Sequence, residues 1–131
     1  MCDAQTHYCL NSQIYSGKVG TTPERGQASR VVRELTAHLH GGYNITTDNF
    51  YTSKSLAEEL LARSITTVGT LRKNKPEIPP AMLDPSGRDE GSSKFCFTRT
   101  QSMVSYIPKK GKMVILLSTM HHDQAVVPVR Q

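Results

Sequence analysis

The stretch NITTDNFYTSKSLAEELL, residues 44 to 61, decides how this chain is read. Asn44 to Thr47 alternates polar and β-branched side chains, the pattern of a short strand. After it, Thr52 or Ser53 can accept the free amides of a helix start, and Leu56, Ala57, Leu60 and Leu61 recur at the spacing of one apolar helix face. Asp48 is thereby placed where a strand ends and the loop into a helix begins. In open α/β sheets that edge collects ligands and catalytic groups. An aspartate at such a point also caps turns, so Asp48 needs further support before it signifies chemistry.

Upstream, YCLNSQIY (residues 8 to 15) contains two short extended pieces around Asn11-Ser12 and predicts a tight hairpin. SGKVGTTPERGQ reads as a loop, and its glycines and lysine lack the spacing of a phosphate-binding loop. Ala28, Val31, Val32, Leu35 and Leu39 then mark one face of a helix, which HGGYN ends through Gly41 or Gly42. Downstream, SITTVGTL is β-branched and predicts a buried strand. RKNKPEIPPAMLDPSGRDEGSS, with four prolines and many charges, is expected to be irregular and exposed. KFCFT, MVSYIP and MVILLST follow as three short strands, the last two joined by the lysine-rich turn KKGK. Strands alternating with helices early and strands alone late predict an α/β sheet with helices packed against it.

At 131 residues the chain is one domain or part of one. Its net charge of +5 favours an anionic partner, nucleic acid ahead of membrane, because no basic amphipathic helix appears. The charge is concentrated: residues 63 to 112 hold ten Lys and Arg against four Asp and Glu. Such a basic, β-rich segment suits a nucleic-acid surface. No apolar run approaches a membrane span and no signal peptide opens the chain, so a soluble, intracellular protein is expected. Cys2, Cys9 and Cys96 are odd in number and lack a CxxC spacing, which indicates reduced thiols rather than disulfides or zinc.

The acid that can partner Asp48 is Asp3, in MCDAQT. If Met1 to Asp3 ends the first strand of the sheet and residues 44 to 47 pair parallel to it, the two carboxylates stand side by side. Neighbouring carboxylates repel unless a cation lies between them, as in a divalent-metal site for phosphoryl transfer.

Four segments carry a wider resemblance: MCDAQTHYCLNSQIYSGK, NITTDNFYTSKSLAEELL, ITTVGTLRKNKPEIPPAML and SMVSYIPKKGKMVILLSTMHHD. In this order and spacing, from Met1 to Asp123, the chain resembles the piggyBac family of DNA transposases and the host proteins derived from them. The resemblance implies an α/β fold, an incomplete ribonuclease H-like mixed sheet with a small β-rich insertion. It implies an activity that cuts and joins DNA with three aspartates and two divalent ions, Mg²⁺ or Mn²⁺. Asp3 matches the first catalytic and metal-binding aspartate and Asp48 the second. Arg72, Lys73 and Lys75 fall where the family presents basic side chains to DNA, and Lys109, Lys110 and Lys112 extend that set. Asn49, Phe50 and Tyr51 look like the residues that seat the second aspartate. The expected organisation is a core part at 1–72, a basic insertion at 73–123 and a divergent tail at 124–131. DNA is the implied partner, with a homodimer or a full-length transposase-like protein beside it, no membrane, and the nucleus as location.

The third aspartate of the family, in a Gly-Gly-Val-Asp motif, has no counterpart in these residues. The expectation is a transposase-derived fragment that is inactive alone. The alternatives are a non-enzymatic DNA-binding module and a metal-dependent nuclease completed in trans. A fragment of this kind would leave the strand at residues 64 to 71 on a sheet edge. His121, His122 and Asp123 read as a strand-end motif rather than a metal site.

Overall fold

The computed structural model describes residues 1–17, 20–22 and 24–125. The chain divides into two compact units, Met1–Leu39 and His40–Gln131.

In the first unit the only helix among the described residues is α1, Gln27–Thr36. It starts after Gly26, whose φ of 75° suits glycine, and buries Val32 and Thr36. The helix stops earlier than the HGGYN signal predicts, with the Leu39 amide turning back to the Thr36 carbonyl. The hairpin also lies elsewhere than expected. Residues 8 to 15 form no paired strands around Asn11-Ser12, and an isolated antiparallel bridge joins Cys2 to Cys9 instead. The Asp3 carboxylate decides this: its Oδ1 accepts the amides of Gln5 and Thr6, and His7 takes a φ of 60° to close the turn. Met1 to Asp3 accordingly forms one side of a tight bridge and not a strand of the main sheet. Leu10 follows back along Met1, and the Asn11 side chain donates to the Leu35 carbonyl of α1.

The second unit is built on five strands: β1 Asn44–Thr47, β2 Thr66–Leu71, β3 Ser93–Phe97, β4 Ser102–Tyr106 and β5 Val114–Ser118. Their order is β1-β2-β5-β4-β3, with β1 and β2 parallel and the other pairs antiparallel. The β1 to β2 connection contains α2, Lys54–Ala62, as a parallel pair requires. Ser53 caps α2 by accepting the Leu56 amide, and Leu56, Ala57 and Leu60 are buried. Period-two alternation in β2 turns Thr67, Gly69 and Leu71 inward. The core joins Ala57, Leu71, Met103, Ile115 and Leu117 with Ile78 and Met82.

Three expectations change here. β2 is not an edge strand: β5 pairs along it from Val68 to Leu71, and β1 covers its other side. The proline-rich segment after Arg72 is not wholly exposed, because Ile78 and Met82 enter the core and Pro80–Leu83 winds into a short helix, α3. The sheet also runs straight through residue 72, since β3, β4 and β5 from the expected insertion extend the same sheet as β1 and β2. Burial explains all three: a strand as apolar as VILLS finds its partner in the half-buried β2 rather than in a separate layer. Of the tail, residues 126–131 lie outside the described residues, as do Lys18, Val19 and Pro23 of the expected loop.

Candidate functional site

Strand direction places the site. β1 ends at Thr47 beside Gly69, β2 ends at Leu71 beside Ile115, and β4 ends at Tyr106 beside Val114. Asp48, Arg72, the Lys109–Lys112 turn and the start of β5 therefore share one end of the sheet. With neighbouring strands about 4.8 Å apart, β1 to β4 spans roughly 14 Å. That equals the rise of about four nucleotides at 3.4 Å each.

Asp48 opens the turn between β1 and α2. Its Oδ1 accepts the amides of Phe50 at 3.0 Å and Tyr51 at 3.2 Å, and its carbonyl accepts those of Tyr51 and Thr52. Among the described residues no donor reaches Oδ2 and no ion pair engages the carboxylate. Asp3 repeats this chemistry in the first unit. Its Oδ1 takes the Thr6 amide at 2.7 Å, the Thr6 hydroxyl at 2.7 Å and the Gln5 amide at 3.1 Å, and among the described residues no donor reaches Oδ2. The Thr6 amide above all, then the Thr6 hydroxyl, holds the Asp3 carboxyl below its usual range. In both places one carboxylate oxygen is fixed by local amides and the other is available.

Of the residues expected to seat the Asp48 loop, Phe50 and Tyr51 act through their main-chain amides on Oδ1. Asn49 and Phe50 are exposed, Phe50 at 41%, and Phe50 meets Tyr51 edge to face at 5.0 Å. The Arg72 guanidinium lies 5.2 Å from the Phe50 ring centroid, within the range of a cation–π contact. A further support, from the interior, is Thr52, 1% exposed, whose hydroxyl bonds the Asp48 carbonyl and faces Thr47 Oγ1. Gly69 provides the room, because a Cβ there would stand 2.3 Å from Thr52 Oγ1. A glycine amid β-branched residues in SITTVGTL is the sequence signal for such a close approach.

The six basic candidates fall at this end with different freedom. Arg72 and Lys73 are exposed, and Lys75 is half-buried in a turn closed by its amide to the Arg72 carbonyl. Lys109, Lys110 and Lys112 are exposed on a turn in which the Lys112 amide meets the Lys109 carbonyl and Gly111 takes a φ of 74°. Lys73, Lys110 and Lys112 line one cleft of about 600 Å³ together with Arg88, Asp89 and Glu90. Arg88, which sequence reasoning did not single out, spends its guanidinium on Ser105 Oγ, Ser105 O and Ser92 O and ties residues 88 to 92 to β4. Glu90 accepts the Lys110 amide at 2.7 Å and so positions the lysine turn.

At the opposite end, Ser118 Oγ accepts the amides of Met120 and His121 and bonds His121 Nδ1, while Ser102 Oγ donates to the His121 carbonyl. This strand-end turn accounts for the His121-His122-Asp123 segment. Among the described residues no three His, Cys, Asp or Glu groups come together as a metal cage, and no helix is long and apolar enough to cross a membrane.

A carboxylate held at a strand end beside a row of cations is an arrangement for phosphate, and known proteins bear on it. The family described as Transposase IS4 matches residues 1–131. A chain in the cryo-EM structure of the piggyBac transposase synaptic complex with hairpin DNA is 40% identical, with a TM-score of 0.85. The match covers 96% of this chain and 27% of that one, so this chain spans about a quarter of the length of the transposase it resembles. The mixed five-strand sheet with its helices is thus a ribonuclease H-like portion of a transposase catalytic domain. On this family match and this likeness, the chain belongs to the IS4/piggyBac-type transposase family and is a piggyBac transposase-like domain.

Proposed function

We propose that this domain grips the backbone of DNA at the Asp48 end of its sheet, and that Asp48 in the second unit and Asp3 in the first are each a carboxylate available to divalent-metal phosphoryl-transfer chemistry. The observation that carries the reading is the convergence at one sheet end of Asp48 with Arg72, Lys73, Lys75, Lys109, Lys110 and Lys112. Its support from comparison is that the matched transposase is a synaptic complex with hairpin DNA. In this reading residues 1–72 supply the carboxylates, 73–123 most of the basic surface, and 124–131 a tail outside both.

The family implies use of divalent metal. The donors present fit Mg²⁺ or Mn²⁺ in kind, since both are hard oxygen ligands with one oxygen unbonded. They are fewer than a closed site needs. When bound, such an ion supplies Lewis-acid stabilisation of charge on the phosphoryl oxygens. The chain's own residues do the rest. The Asp48 and Asp3 turns each fix one carboxylate oxygen through local amides, Phe50 holds the Arg72 guanidinium over its ring, and the lysines neutralise phosphates along the strand ends.

These 131 residues then bind DNA through its phosphates without cutting it by themselves. The location implied is the nucleus, and the partners beside DNA are a second copy or a full-length transposase-like chain. The test is plasmid nicking and hairpin cleavage with Mg²⁺ and Mn²⁺, comparing the chain with Asp48→Asn, together with DNA affinity as a function of salt. Salt-dependent binding without cleavage is the expected result. Cleavage abolished by Asp48→Asn would establish instead a nuclease whose site is completed in trans, and absence of binding at low salt would refute the proposal.

A further inference from the structure

The Asp48 turn is fastened from inside the fold. Thr52 Oγ1 lies 2.6 Å from the Asp48 carbonyl and 2.8 Å from Thr47 Oγ1. A hydroxyl has one proton to donate. With the Thr52 proton on the Asp48 carbonyl, the Thr47 hydroxyl is the donor to Thr52, so the bonds run in one direction, from Thr47 through Thr52 to Asp48. The same carbonyl takes the Thr52 amide at 3.1 Å and the Tyr51 amide at 3.2 Å. Gly69 lies against the clasp: an added Cβ would stand 2.5 Å from Thr47 Oγ1 and 2.7 Å from the Thr47 carbonyl as well as against Thr52.

We infer that Thr52, seated against Gly69, is a positioning residue that aims the open carboxylate oxygen of Asp48 at a divalent cation. The inference rests on the reading of Asp48 as a metal ligand. Its physical basis is the order of constraints. Thr52 fixes the Asp48 carbonyl, the turn this closes presents the Phe50 and Tyr51 amides, and those amides hold Oδ1 so that Oδ2 points away from them. Without the hydroxyl, Thr47 loses its acceptor and the turn keeps only its amide bonds. Groups that orient a metal ligand from behind are worth about 10- to 100-fold in metal affinity.

Nuclear magnetic resonance on the full chain tests this with Thr52→Val, Thr52→Ser and the control Asp48→Asn. The metal-free readout is the Asp48 χ1 rotamer from scalar couplings. The second is broadening of the Phe50 and Tyr51 amides by Mn²⁺, with the Ile115 and Leu117 amides reporting that the core is intact. The wild type and Thr52→Ser should show one rotamer, and Thr52→Val an average with the half-broadening Mn²⁺ concentration raised about 10-fold. Thr52→Ala, which adds no bulk, carries the same expectation should the valine variant misfold. One unchanged rotamer and an unshifted Mn²⁺ response in the hydroxyl-free variants would overturn the inference. Equal broadening in the wild type and Asp48→Asn, with the rotamers behaving as expected, would overturn the metal reading of Asp48 alone.

Discussion

Replacing Lys109, Lys110 and Lys112 together by glutamine isolates the basic turn from the rest of the site. All three side chains are exposed, and the bonds that shape the turn use only the main chain of the lysines: the Lys112 amide to the Lys109 carbonyl, and the Lys110 amide to the Glu90 carboxylate. Glutamine preserves both, and surface changes of this type alter stability by less than about 0.5 kcal/mol. The magnitude on DNA follows from counterion release, in which each neutralised phosphate adds about 0.9 to the slope of log affinity against log salt. Removing three lysine charges from the phosphates flattens the slope by about 2.7, so over a fourfold rise in salt the affinity of the variant falls roughly 40-fold less than that of the wild type. Fluorescence anisotropy with a labelled duplex, titrated at several salt concentrations, reads both slopes. An unchanged slope in a variant with normal thermal unfolding would refute the placement of DNA along this sheet end.

Three further outcomes follow from particular side chains. Leu117→Ala, at a position 2% exposed in the core, should lower stability by about 2–5 kcal/mol in urea unfolding, and a loss under about 1 kcal/mol would mean the core is not closed there. Asp3 has a folded pKa depressed below its ordinary value of 3.8, so its stabilising contribution is present above that pH and is lost as pH falls through the lower folded value. Thr6→Val, which keeps the Thr6 amide and removes the hydroxyl, should move the Asp3 carboxyl up towards 3.8 in a carbon-detected titration; no movement would deny the hydroxyl its role. Burial pushes the Cys96 thiol up while Cys2 and Cys9 are exposed, so a thiol reagent at mildly alkaline pH should consume two groups quickly and one slowly, and three equal rates would contradict this burial.

The resemblance to piggyBac transposases was legible in four segments of the sequence, and the structure places their residues unevenly. Asp48 stands at the end of a strand and before a capped helix, as the alternation of NITT and the periodicity of SLAEELL require. Thr52 was legible only as a possible helix cap; its burial against Gly69 turned it to the Asp48 carbonyl, leaving Ser53 as the cap. The Asn11-Ser12 turn signal was outcompeted by a stronger local one, a carboxylate accepting two amides at Asp3.

The sequence by itself determined the elements whose pattern repeats within a few residues: α2, the β2 strand, the three late strands with their lysine turn, the basic excess of residues 63 to 112 and the family. These depend on neighbours along the chain, whose spacing is set by helix and strand periodicity. Only the tertiary structure decided which strands pair, that β2 is interior, that Ile78 and Met82 enter the core, and that Asp48, Arg72 and the lysine turn meet at one end. The β2–β5 pairing joins residues more than forty positions apart, as Val68 joins Ser118, and strand periodicity alone is the same for every partner a strand could take.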